Sequence, residues 1–267
     1  TDGTGPGAMA AILADPDART QHVRALAAIA RPYAGIDVDY EAFAFADAYA
    51  TWETTRPNWV LFVQELAAVL HAEGKLLVVT VPPVYDTERT PSSGRWVYDP
   101  KAMGETADVV RVMAYDYSVE TPGPIAPIEW VQGIVHAMKQ LIDDDAKIVL
   151  GVPLYGRNWV TATQGTCPEG TPGRVSPTQV EVAALVQQYA AVPTHDPVVG
   201  EASFTYQRTD DTGVCTQTRH VQFVDAIGVL ARVDLARSER IGGVVFWAMG
   251  FDTADTWAAV APVARPR

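Results

Sequence analysis

Apolar positions recur along the chain with two alternating periods, and the alternation predicts the elements. Asp15 followed by Pro16 has the form of a helix N-cap with proline in the first turn, and Val23, Leu26, Ala27 and Ala30 supply that helix's apolar stripe. The period then changes from about 3.6 to two. In AGIDVDYEAF (34–43), Ile36, Val38 and Tyr40 alternate with Asp37, Asp39 and Glu41, which predicts a strand over 34–41. One face is apolar and the other carries three carboxylates. Helical patterns flank this strand on both sides, so it reads as a parallel strand buried on both faces rather than as a solvated edge. Ile36, Val38 and Tyr40 are expected to point outward against helices, and the acids inward.

The same reading continues downstream. Trp59, Phe62, Val63, Leu66, Val69 and Leu70 predict a helix over 57–73 that Gly74 ends. KLLVVTVP, DVVRVMAYDYS, KIVLGVPLYG and IGGVVFWAMGF read as further strands. A short helix near 99–106 and the segments PIEWVQGIVHAMKQLI, VDAIGVLARVDLARSER and TADTWAAVAPVA supply helices between and after them. Five strands alternating with helices through short connections predict a parallel α/β architecture over 1–155 and 224–267. Residues 156–223 break the alternation and read as an α+β insertion before the last strand. It holds a helix beginning at Ser176-Pro177 and a hairpin turning near Asp211–Gly213. It also holds both cysteines, Cys167 and Cys215. A disulfide between them is expected, with two buried thiols as the alternative. The bridge would close a long loop, contribute about 4 kcal/mol in the chain-entropy model, and suit a secreted protein.

Composition narrows the partners. The 267 residues are 48% hydrophobic and 19% charged, enough for one large domain or two small ones. A net charge of −12 repels phosphate backbones, which argues against nucleic acid, and leaves neutral polymers open. No apolar run is long enough to cross a membrane, so no membrane partner is expected. The opening at Thr1 reads as a processed or cropped terminus. GTGPGA (3–8) matches G-x-G-x-x-A, but a dinucleotide site needs a strand before it, so a flexible loop is the expectation. No H-E-x-x-H, P-loop or G-x-S-x-G occurs, and the five histidines are scattered. Neither a metal site nor an organic cofactor is expected.

The carboxylate row is where chemistry concentrates. Three like charges on one strand face repel, and burial would raise some of their pKa values, so the row is not there for stability. Carboxylates with separated pKa values suit glycoside hydrolysis or divalent-metal binding. Tyr115 and Asp116, Tyr155, Arg157 and Trp159, and Trp247 all fall at C-terminal ends of predicted strands, where parallel α/β folds place their sites. Aromatic rings beside acids favour a sugar, stacked and hydrogen-bonded, over a metal.

AGIDVDYE (34–41) resembles the D-x-x-D-x-D-x-E signature of glycoside hydrolase family 18, the chitinase family. MAYDY (113–117) resembles that family's M-x-Y-D strand, and VVFWAMG (244–250) its last, tryptophan-bearing strand. The similarity spans nearly the whole chain, and 204–257 looks most like the bacterial spore-germination and cell-wall branch. It implies a TIM (β/α)8-type barrel of which this chain carries strands 4–8 only, an upstream segment or second chain supplying the first three. It implies substrate-assisted, retaining cleavage of β-1,4-linked N-acetylglucosamine polymers, outside the cell or at its wall. Glu41 would be the general acid and base, and Asp39 the group orienting the acetamide. Asp37 would share a proton with Asp39, and Tyr115 would hydrogen-bond the acetamide. Trp247 would floor the pocket, and Asp116, Tyr155 and Arg157 would add sugar contacts. The signature's first aspartate falls on Ala34, a departure that bears on pKa tuning. The alternatives are a catalytically silent, lectin-like relative and a metal-dependent barrel hydrolase.

Overall fold

A computed structural model describes residues 5–264. Of GTGPGA, Gly3 and Thr4 lie outside the described residues; Gly5–Gly7 lead directly into α1 (Ala8–Ala14). Asp15 then caps α2 (Pro16–Ala30), its carboxylate accepting from the Asp17 and Ala18 N–H groups. The carboxylate-bearing strand is β1 (Gly35–Asp39), and it ends two residues earlier than its pattern predicts. Glu41 is therefore not on the strand. It takes αR dihedrals and caps α3 (Ala42–Phe45), its carbonyl accepting from Ala44 and Phe45 N–H.

The next helix, α4 (Trp52–Ala72), begins five residues before the expected start at Pro57. Proline inside a helix costs one backbone hydrogen bond. Here Trp52 and Thr55 are buried, and the Trp52 indole N–H donates to the Phe43 carbonyl at 2.7 Å, which holds the additional turn. Gly74 follows the helix at φ +67°, a conformation that favours glycine. Then come β2 (Leu76–Val81), α5 (Pro100–Thr106), β3 (Val109–Val112), α6 (Ile128–Leu141) and β4 (Ile148–Pro153), in the predicted order.

From there the chain enters a second sheet. Its strands are β5 (Gly156–Gly165), β6 (Arg174–Val175), β7 (Thr194–Asp196), β8 (Glu201–Thr209) and β9 (Cys215–Phe223), with α7 (Gln179–Tyr189) between β6 and β7. The chain closes with α8 (Ala226–Ser238), β10 (Gly243–Trp247) and α9 (Ala254–Val260).

Two compact units are formed. The first holds the chain up to Met113 with Gly133–Leu150 and Glu239–Gly243; the second holds Ala114–Gln132, Gly151–Ser238 and the chain from Val244. In the first, β1, β2, β3 and β4 pair in parallel, with Asp39 opposite Thr80, Thr80 opposite Arg111 and Val112 opposite Leu150. Gly35 permits the closest of these approaches: a Cβ there would stand 2.2 Å from the Leu76 carbonyl oxygen. Val38 and Tyr40 are buried, as are Trp59, Phe62, Val63, Leu66 and Leu70 on α4. Val38 and Tyr40 on the apolar side do pack under helices and Ile36 is only half-buried, but among the described residues β1 is an edge strand and Asp37 is exposed, so the strand is not buried on both faces as its pattern predicts.

In the second unit the insertion is a five-stranded sheet, order β6-β5-β9-β8-β7, with antiparallel pairings. The β8–β9 hairpin turns where expected, the Asp210 carboxylate accepting from the Val214 and Cys215 N–H groups. Cys167 and Cys215 form the disulfide. The helix expected from Ser176-Pro177 starts later, because Thr178 and Glu181 close a reciprocal capping box. Val182, Phe204, Val221 and Phe223 form its core. Glu201 and Arg232 are fully buried and paired. Glu201 accepts from the Ile125 and Ala126 N–H groups, and Arg232 donates to the Ala126 carbonyl. Burial pushes the Glu201 carboxyl up and pushes Arg232 down to about 10.

Candidate active site

The first unit carries the acids. Asp37 and Asp39 are two apart on β1 and so share a face of the sheet. Asp37 is tied on both oxygens: Thr80 Oγ1 donates to Oδ1 at 2.9 Å, and the Arg111 guanidinium meets Oδ2 at 2.5 Å. Thr80 sits on β2 and Arg111 on β3, so the parallel register carries both to the acid row. Neither residue is singled out by local pattern. Arg111 reads as one polar interruption in DVVRVMAYDYS, and an arginine in a parallel strand facing an acid row is the only hint available. Asp39 ends β1, and Glu41 caps α3 one residue beyond Tyr40. The acids thus come at the C-terminal end of a parallel strand, two on the strand and one on the turn that leaves it.

Tyr40, between the two, is anchored on the opposite side. Its hydroxyl meets His22 Nε2 at 2.5 Å, and its ring stacks near-parallel on Phe62 and tilts against Trp59. Burial holds the His22 pKa below its ordinary value, so the imidazole is neutral near neutral pH.

The second unit brings four of the expected residues together. Asp116, in the left-handed region at φ 62°, accepts from the Tyr155 hydroxyl at 2.6 Å and pairs with Arg157 at 2.5 Å. The Tyr115 and Tyr155 rings meet edge to face at 6.2 Å, and the Arg157 guanidinium lies 5.9 Å from the Tyr155 ring centre. Burial, and then the charge of Asp116, pushes the Tyr155 hydroxyl far up, so it acts only as a neutral donor. Arg157 and Trp159 are not at the end of β4: both lie on β5, which the sequence reading did not resolve as a strand. Arg157 also donates to Ser176 Oγ at 2.8 Å. Trp247 ends β10 half-exposed, and its carbonyl accepts from Leu154 N–H at 2.8 Å. Among the described residues, no group of three or more histidine, cysteine or acidic side chains could hold a metal ion.

A family model described as glycosyl hydrolases family 18 matches residues 3–252. The chain is 29% identical over 226 residues to a cortical fragment-lytic enzyme of Bacillus subtilis, covering 80% of this chain and 49% of that protein. The chain thus spans about half the length of that curated relative. Among solved structures, the C-terminal domain of a putative chitinase from Desulfitobacterium hafniense aligns with a TM-score of 0.79 and 26% identity, covering 97% of this chain and 75% of that one. A chitinase from Chromobacterium violaceum aligns with a TM-score of 0.75 and 27% identity, covering 94% of this chain and 73% of that one.

Proposed function

The chain belongs to glycosyl hydrolases family 18, and on that premise we propose that it cleaves β-1,4-linked N-acetylglucosamine polymers of the chitin or peptidoglycan type, with retention and with the substrate's own acetamide as nucleophile. Glu41 protonates the leaving glycosidic oxygen. The acetamide oxygen attacks the anomeric carbon as that bond breaks, giving an oxazolinium ion. Asp39 orients the acetamide N–H and offsets the positive charge. Glu41 then takes a proton from the water that opens the ring, which restores both the acid and the anomeric configuration. Asp37, held by Thr80 and Arg111, supports Asp39 in the row and, on the family pattern, shares its proton. Tyr115 hydrogen-bonds the acetamide, Trp247 stacks under the sugar, and Asp116, Tyr155 and Arg157 add polar contacts.

One observation carries this reading: the signature acids stand at the C-terminal end of a parallel strand, where barrel enzymes keep their chemistry. On the same reading β1 corresponds to the fourth strand of a (β/α)8 barrel, and an upstream segment or a second chain supplies the first three. The disulfide favours an oxidising compartment, outside the cell or at its wall.

The test is hydrolysis of chitin oligomers and purified peptidoglycan side by side, with products identified by mass spectrometry and their anomers by NMR. Products of retained configuration are expected, and Glu41→Gln should lower turnover by about 10²–10⁴-fold while sugar binding persists. A Glu41→Gln protein that keeps most of its turnover would assign the acid elsewhere. Sugar binding without hydrolysis by the unmodified chain would make it a lectin-like relative instead.

A further inference from the structure

Arg95 is an arginine of the first unit held by aromatic rings rather than by an acid. Arg19, Arg56 and Arg111 each pair with a carboxylate. The Arg95 guanidinium makes no hydrogen bond or ion pair among the described residues, and its nitrogens stay open to solvent. It is nonetheless held in place. Its central carbon lies 5.5 Å from the ring centre of Phe45 and 5.8 Å from that of Trp52. Its backbone N–H donates to the Pro83 carbonyl at 2.9 Å, and the neighbouring Val84–Gly94 bridge clips the two segments together. A guanidinium that neighbours aromatic rings and makes no hydrogen bond to the protein keeps its fork of donors available, and that fork can take a carboxylate through two parallel hydrogen bonds.

The position of this fork relates it to the acids. Phe45 is one helical turn past Glu41, and its N–H donates to the Glu41 carbonyl at 3.1 Å. Around the arginine the aromatic surface is open: Phe45 is 60% exposed, Tyr85 47% and Tyr49 40%. Tyr49 packs at 4.9 Å on Trp52, which extends the patch. Exposed rings of this kind stack on the apolar faces of sugars. On a chain of net charge −12, a cation held in place without a carboxylate partner is also a point of attraction for an anion.

We infer that Phe45, Tyr49 and Tyr85 with Arg95 form a subsite for a carboxylated N-acetyl sugar near Glu41. Arg95 reads the lactyl-ether carboxylate that distinguishes a peptidoglycan strand, freed of its stem peptide, from neutral chitin. The subsite's link to catalysis rests on Glu41 acting as the acid; the carboxylate recognition does not.

The experiment uses the full chain carrying Glu41→Gln, so that ligands survive, and measures binding by calorimetry. Three ligands of equal length are compared: peptide-free peptidoglycan strands, the same strands with the carboxylate converted to a methylamide, and chitin oligomers. The free carboxylate should bind about tenfold or more tighter than its amide, the size expected for charge-assisted hydrogen bonds, and added salt should narrow the gap. Adding Arg95→Gln should erase the preference, and Arg95→Lys should keep only part of it, since the charge remains but the fork is lost. No preference for the free carboxylate, no binding, or a preference that survives Arg95→Gln would each overturn the inference. The ligand comparison on protein that retains Arg95 stands even if that variant folds poorly. Hydrolysis by the unmodified chain separates the two readings. Cleavage without carboxylate preference removes only the Arg95 subsite, and preference without cleavage removes only the glycosidase.

Discussion

Tyr40 occupies the one position between Asp39 and Glu41, and a polar contact to His22 within an aromatic cluster helps to fix it. The Tyr40 hydroxyl is buried among Phe62 and Trp59 and meets His22 there. Losing the imidazole removes that hydrogen bond, at a cost of about 0.5–1.5 kcal/mol. The His22 pKa is lowered by burial, so the unfolded chain binds this proton more readily than the folded one. Its contribution to stability is fully present above the unfolded value of about 6.5 and is lost as pH falls through the lower folded value. We expect the melting temperature to drop between about pH 7 and pH 5, and to drop less steeply in His22→Phe, whose melting point is already lower at neutral pH. Parallel slopes for the two proteins across that window, from calorimetric scans, would remove His22 as the titrating group.

Among the elements, β1 and the insertion each depend on one feature. β1 can lie against β2 only because residue 35 has no side chain: a methyl group there meets the Leu76 carbonyl oxygen at 2.2 Å, and backbone cannot move aside cheaply. Gly35→Ala should cost about 1–3 kcal/mol by overpacking and shift the strand that carries Asp37 and Asp39. Urea unfolding reads the first effect and the rate of glycan hydrolysis the second, and a variant of unchanged stability and rate would show that the strands are less tightly apposed. The insertion relies instead on its crosslink. Cys167 and Cys215 are separated by 48 residues, and opening a loop of that size should destabilise the second unit by about 4 kcal/mol at most, since the entropic model is an upper guide. Melting with and without dithiothreitol measures this, and coincident curves would mean that the antiparallel sheet holds the loop closed without the bond.

For the molecule taken whole, the proposed reaction takes its nucleophile from the substrate and its acid from Glu41, so none of its steps requires a metal ion. Dialysis against a chelator should leave hydrolysis of chitin oligomers unchanged; loss of activity restored by a divalent cation would favour the metal-dependent alternative. At this scale the division between sequence and structure is plain. The order of strands and helices, the apolar side of β1, the hairpin at Asp210–Gly213 and the acid motif follow from periods of two and 3.6 and from turn chemistry, which act over a few residues. The extent of elements follows less well: α4 reaches back through Pro57 because Trp52 is buried, and β1 stops at Asp39 because the chain turns into α3. What only the tertiary structure decided are the partners. Thr80 and Arg111 reach Asp37 across 43 and 74 residues, Asp116 gathers Tyr155 and Arg157 across 39 and 41, and Arg95 comes to rest between Phe45 and Trp52. Such pairs are set by strand register, parallel for Asp37, and by the packing of loops and strands far apart in the chain, so no local spacing in the sequence encodes them.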